Sequence, residues 1–130
     1  LLVSILHRLG YGDAAVRHAS DVLEYLEKSS YDLPAHECSL IHGRAGMLHT
    51  IWFLRQELGN DEFGRDLALA TSSSILLEGL KNANKDENAT LLLMWKCRGR
   101  SFLGAATGVA GVLYSLLGHT KEEWSALDNQ

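Results

Sequence analysis

Apolar residues at helical spacing run through almost the whole chain. Leu1, Leu2, Ile5, Leu6 and Leu9 follow that spacing from the first residue, which predicts a helix already under way where the chain starts and suits a piece of a longer protein. Gly10 and Gly12 interrupt the pattern, and Asp13 is placed to cap a second helix through about Lys28. In that helix Ala15, Val16, Ala19, Val22, Leu23 and Leu26 share one side. Ser29 to Glu37, which holds Pro34, reads as a loop. A third helix is expected from about Arg44 to Leu58. Met47, Leu48, Ile51, Trp52, Phe53 and Leu54 leave it apolar nearly all round, so it must be covered on most sides. Gly59 and Asn60 close it. A fourth helix from about Asp61 to Leu80 has one polar side and a serine run at Ser72, Ser73 and Ser74, the mark of an outer helix. Asn82 to Ala89 is polar and reads as a surface loop, and Leu91 to Leu103 brackets Gly99 with short apolar stretches, as a small hairpin would. The last strong helix covers about Gly108 to Leu117, and the tail from His119 sets Trp124 among polar residues. The expected fold class is all-α, with a short β-hairpin near 91–103.

The third and last helices open with the same kind of word. Gly43-Arg44-Ala45-Gly46 precedes Met47 and Leu48, and Gly108-Val109-Ala110-Gly111, 65 positions later, precedes Val112 and Leu113. Between the two words lie one apolar and one amphipathic helix, so the repeating unit is an inner and outer pair. Glycine at the first and fourth positions clears one face of a helical turn. That clearance serves close packing between adjacent helices, or the approach of a ligand or anion to the free amides of the helix start.

Charge and composition narrow the function classes. The net charge is −4, and the basic residues are scattered except for Lys96, Arg98 and Arg100, which excludes nucleic acid as the natural partner. Ser101 to Gly118 carries no charge and includes a GxxxG pair, Gly104 and Gly108, so a membrane span competes there. Its glycines, Ser101, Thr107 and Ser115 dilute the apolar content, and the related earlier word carries Arg44 in its middle, so no membrane span is expected. Cys38 and Cys97 stand 59 positions apart without a CxxC motif. They read as free thiols of a reducing, cytoplasmic compartment.

The glycine words carry a resemblance. Ile41-His42-Gly43-Arg44-Ala45-Gly46 resembles the (L/Y)YGRAG block of eukaryotic LanC-like (lanthionine synthetase C-like) proteins, and Leu93 to Gly111 resembles their run LMYEWHGKKYLGAAHGxAG. In the second block Leu93, Met94, Gly99, Leu103, Gly104, Ala105, Ala106, Gly108, Ala110 and Gly111 agree letter for letter. The resemblance covers about Cys38 to Leu117. It implies a partial α/α toroid, an inner barrel of helices ringed by outer ones, of which this chain would hold about two helix-pair repeats. It further implies a zinc-dependent, peptide-modifying activity that adds a thiol, from a peptide cysteine or glutathione, to dehydroamino acids. A cytoplasmic location follows, peripheral attachment at the plasma membrane being compatible with it. Zinc suits that chemistry because it holds a thiol as thiolate near neutral pH.

Several positions depart from the family pattern. The zinc ligands implied by the resemblance, two cysteines and a histidine, belong to later repeats, so none is assigned to Cys38 or Cys97. The family's AAHG histidine is replaced by Thr107, which cannot titrate near neutrality. Cys97 and Arg98 replace a Trp-His pair. His42 aligns with Thr107 across the repeat, so His42 and Thr107 are the candidate catalytic positions, the alternative for His42 being a local hydrogen bond at a helix start. Arg44 is a candidate for binding a substrate phosphate or carboxylate, and the favoured structural reading is a salt bridge with Glu37 or a neighbouring acid. Gly43, Gly46, Gly104, Gly108 and Gly111 form the structural motif. His7, His18, His36, His49 and His119 read as packed or surface side chains. Both an enzyme and a divergent, non-catalytic binding toroid fit this pattern. Two units cut from a ring expose apolar sides meant for neighbours, which predicts aggregation or partial unfolding of the isolated chain.

Overall fold

The computed structural model describes residues 1–85 and 91–128. In chain order the elements are α1 (Leu2–Arg8), α2 (Gly12–Asp32), α3 (Arg44–Leu58), α4 (Arg65–Asn84), β1 (Lys96–Cys97), β2 (Arg100–Ser101), α5 (Val109–Leu116) and α6 (Lys121–Asp128). The chain is all-α apart from one hairpin inside 91–103, as expected. Among the described residues no helix is long and apolar enough to cross a membrane. The uncharged stretch at 101–118 divides instead into strand, loop and the short α5.

The helix boundaries differ from the sequence expectation for local reasons. Asp13 is not the cap of α2; Tyr11 occupies that position without a side-chain bond, and Asp13 lies in the first turn, where its charge suits the helix N-terminus. α2 runs through the Ser-Ser pair because Ser30 Oγ returns a hydrogen bond to Glu27 O at 2.6 Å. It stops only where Leu33, extended at ψ 123°, precedes Pro34. α4 starts later than Asp61, since Asn60 Oδ1 accepts Glu62 N at 3.1 Å and folds 61–64 into a turn. Gly64, at φ +66°, ends that turn against Leu23 and Ile51. At its far end α4 carries Asn82–Asn84, which had read as loop, while 86–89 lie outside the described residues. The tail, to which the sequence pattern assigns no element, forms α6.

Every neighbour meets α3. It contacts α1, α2, α4 and α5, and its Leu48 and Ile51 are wholly buried with Ile75 of α4 and Val112 and Leu116 of α5. A second cluster joins Val3, Ala15 and Ala19 to Leu54 on another side of α3. Each such large side chain contributes about 1.5–3 kcal/mol on burial. α3 and α5 run in the same direction, because their starts meet at Ile41 N and Ala106 O (3.2 Å) and their later turns at Trp52 Nε1 and Ser115 O (2.7 Å). That is the side-by-side placement of two inner helices.

The hairpin and α4 are locked by one tryptophan. Cys97 pairs with Arg100, leaving Arg98 (φ 51°) and Gly99 (φ +75°) as a two-residue turn with both residues left-handed. Just before it, Met94 N donates to Gly79 O at 3.0 Å, and the buried Trp95 donates from Nε1 to Ile75 O at 2.8 Å. Trp95 lies on Gly79, where a Cβ would stand 2.8 Å from the indole.

Two stability outcomes follow. Glycine to alanine inside a helix usually gains up to about 1 kcal/mol, but Gly79→Ala is expected to lose about 1–3 kcal/mol through overpacking against Trp95, measured by urea unfolding. Arg98→Asn, which tolerates the left-handed turn better, is expected to stabilise by about 0.5–1 kcal/mol in the same measurement. A gain for the first variant, or a loss for the second, contradicts these contacts.

Candidate functional site

Two loops of like path open α3 and α5, each ending in an extended glycine: Gly43 at φ −132° and Gly108 at φ −119°. In the first loop Arg44 N donates to Glu37 O at 3.1 Å and Ala45 N to Cys38 O at 3.3 Å. In the second, Val109 N donates to Phe102 O at 2.9 Å and Ala110 N to Leu103 O at 3.3 Å. Every donor and acceptor keeps the 65-residue offset of the glycine words. The loops thus bend back over their own helices and satisfy amides that a helix start leaves open.

That path explains the glycines. A Cβ on Gly43 would collide with the Glu37 carbonyl, and one on Gly108 with the carbonyls of Phe102 and, at 2.6 Å, Gly104. Gly46 and Gly111 meet the Leu40 and Ala105 carbonyls in the same way. The expected close packing between adjacent helices is therefore secondary: the loop packs on its own helix, and Gly111 also meets Leu40 Cβ of the neighbouring unit at 3.2 Å. Gly104 has open space around its own Cα and matters through its carbonyl. The amides considered for an anion at 44, 45, 109 and 110 already have carbonyl partners.

The two loops touch through Ile41 N and Ala106 O, and the next residues, His42 and Thr107, flank that link. His42 is exposed, and its amide N–H donates to Ser39 Oγ at 3.2 Å. Thr107 is half-buried. Arg44 forms no ion pair with Glu37. Its Nη1 and Nη2 donate to Pro34 O (2.6 Å) and Leu33 O (2.9 Å), at the exit of α2, where helix carbonyls favour a cation. Glu37 Oε1 instead accepts the Ser39 hydroxyl at 3.0 Å.

Both cysteines are buried and free. Burial pushes the Cys38 thiol up to about 12, Glu78 and Glu37 adding to the rise and Arg44 only partly opposing it. A zinc centre needs thiolates and close-set ligands. Among the described residues no three His, Cys, Asp or Glu side chains come together for a metal, so the residues present do not fit zinc.

A buried polar cluster on the far side went unread in the sequence. Arg55 of α3 forms a forked pair with Glu123 of α6, Nη2 to Oε1 at 2.7 Å and Nη1 to Oε2 at 3.1 Å. Glu123 Oε2 also meets His119 Nδ1 at 3.1 Å, and His119 Nε2 meets Ser72 Oγ of α4 at 2.6 Å. Trp52 and Trp124 stand edge-on to the imidazole, with centroids 4.9 and 5.5 Å away. The order serine, histidine, acid resembles a hydrolytic triad. However, Ser72 and Glu123 are wholly buried and the carboxylate is committed to Arg55, so the cluster ties α3, α4 and α6 together. One signal was legible: Thr120 and Glu123 form a reciprocal cap, Thr120 N to Oε2 at 3.0 Å and Glu123 N to Oγ1 at 3.3 Å.

Comparison with known proteins places this arrangement. Residues 2–124 match the family described as lanthionine synthetase C-like protein. The chain is similar to LanC-like protein GCL1 of Arabidopsis thaliana, with 36% identity over 91 residues. That alignment covers 70% of this chain and 21% of the relative, so the chain spans about a fifth of the relative's length.

The cluster makes stability depend on pH with a definite sign. For Glu123, burial alone would raise the carboxyl, but hydrogen bonds from Arg55, Thr120 N and His119 outweigh it and bring it from 4.5 to about 2. Burial lowers His119 from 6.5, against the pull of Glu123. Both groups bind protons more readily in the unfolded chain, so their stabilisation is complete above 6.5 and 4.5 and is lost as pH falls below those values. The melting temperature followed by circular dichroism should drop in two limbs on acidification, and His119→Gln should remove the upper one. Glu123→Gln leaves Arg55 buried without its anion and should cost about 3–5 kcal/mol.

Proposed function

The chain belongs to the lanthionine synthetase C-like family, and from that premise we propose that the full-length protein adds a thiol, from glutathione or a peptide cysteine, across the double bond of a dehydroamino acid in a peptide or protein. The carbon–sulfur bond forms at the β-carbon and the thiol proton ends on the α-carbon. These two units would line the substrate cavity and position the peptide, while residues outside this chain would hold any zinc. The observation that supports the reading is the pair of matched glycine loops, joined at Ile41 and Ala106, which sets two parallel helix starts side by side at one end of the fold.

Thr107 supports a second reading. A hydroxyl stands where the family has imidazole, Cys38 is held as a protonated thiol, and Arg44 is spent on backbone carbonyls. A binding toroid without catalysis would tolerate all three. On the enzymatic reading His42 is an exposed imidazole beside Thr107, at the link between the two loops.

The full-length protein, incubated with glutathione and a dehydroalanine peptide, is expected to add the mass of one glutathione by mass spectrometry. Thr107→His should raise the rate by about a hundredfold, the lower end of what general acid–base catalysis supplies. Peptide binding with no addition by either form would favour the binding toroid instead.

A further inference from the structure

Lys96, Arg98 and Arg100 are the densest group of cations in a chain of net charge −4, and the reading above leaves them unused. None of the three forms an ion pair among the described residues. They stand around the hairpin turn, and Ser101 follows the last of them, exposed, with the exposed Phe102 next. Counted back from Ser101, the cations occupy the fifth, third and first positions, and an aromatic side chain comes directly after it. Protein kinases choose substrates by such charge patterns: an acidic cleft reads cations ahead of the acceptor hydroxyl, and an apolar pocket takes the residue behind it.

A kinase takes its substrate extended, so the turn has to open. β1 and β2 hold two residues each, and a lone two-stranded hairpin is only marginally stable. The buried anchors Trp95 and Cys97 precede the turn, and every residue from 98 to 106 is exposed. The stretch from Arg98 to the Phe102 side chain can therefore straighten while each core side chain keeps its place. Its exposure is a property of the repeat. His36, 65 positions before Ser101, sits in a loop whose following unit is in place, and Ser101 in a loop whose preceding unit is in place. Both are exposed, so a neighbouring unit on either side leaves this position open.

We propose that Ser101 is a phosphorylation site for a basophilic protein kinase, one that reads Arg98 three residues ahead of the acceptor. The Ser101 hydroxyl oxygen attacks the γ-phosphorus of ATP, and the bond from that phosphorus to the β,γ-bridging oxygen breaks. ADP leaves, and the hydroxyl proton passes to the catalytic base of the kinase. Lys96 is the direct cross-strand partner of Ser101, so the reclosed hairpin sets the new phosphate against a cation. With a charge of about −2, that phosphate nearly cancels the three cations. β2 continues through Phe102 into the loop that carries Thr107, so the change of charge falls at the end of the fold where the two helix starts meet. The inference does not rest on the chemistry proposed above.

The test incubates the full-length protein with ATP and a kinase of this class, and locates the phosphate by mass spectrometry. One phosphoryl group is expected on Ser101, and Ser101→Ala should abolish it. Arg98→Gln removes the cation without easing the left-handed turn, so the rate at Ser101 should fall about tenfold or more, the loss expected for a hydrogen bond to a charged group. A synthetic peptide of residues 94–103 should lose the same factor with that change, which separates reading of the charge from opening of the hairpin. Modification of the peptide but not of the folded protein would overturn the proposal, because the hairpin then stays closed to the enzyme. So would a peptide left unmodified, equal rates with and without Arg98, or phosphate placed only on other residues.

Discussion

A backbone carbonyl pressed against a glycine Cα, repeated at the start of each inner helix, is the constraint from which the rest of this structure follows. The loop before α3 and the loop before α5 turn back so tightly that Glu37 O and Phe102 O occupy the space of a side chain at Gly43 and Gly108. Any Cβ there would push the loop away and release the amides of the following residues from their carbonyl partners. Because both loops take the same path, α3 and α5 start at the same level and point the same way. Trp52 can then reach the Ser115 carbonyl, and Val112 and Leu116 can share one core with Leu48 and Ile51.

The same tightness accounts for the chemical quiet of the loops. Arg44 closes the exit of α2, Glu37 holds Ser39, and Cys38 is sealed in the core as a protonated thiol. What the loops expose is the imidazole of His42 and the apolar side chains of Ile41, Phe102 and Leu103, with Thr107 half-buried among them.

Polar energetics are concentrated elsewhere, where α3, α4 and α6 meet. Arg55, Glu123, His119 and Ser72 satisfy one another, and the Arg55 guanidinium lies 4.6 Å above the Trp52 ring. A buried pair of this kind adds little over a well-packed apolar contact, but removing one member is costly. It therefore holds a single arrangement of the helices more than it deepens stability.

The sequence by itself determined the kind of element and the repeat. The apolar face of α3, its ends at Arg44 and Leu58, the hairpin around Gly99 and the 65-residue spacing of the glycine words are local patterns, set by periodicity and by residues with special backbone freedom. The candidate positions His42, Thr107 and Arg44 were legible in the same way, as letters beside those words. Tertiary structure decided what each residue is for. Arg44 was expected to meet an acid or a substrate and instead found the carbonyls of Leu33 and Pro34, because the path of the loop, not its composition, brings α2's end alongside. The link from Arg55 to Glu123 spans 68 positions, and no local periodicity records a contact at that range. A spacing encodes which way a side chain faces along its own element; which other element stands opposite depends on how the whole chain closes over its core.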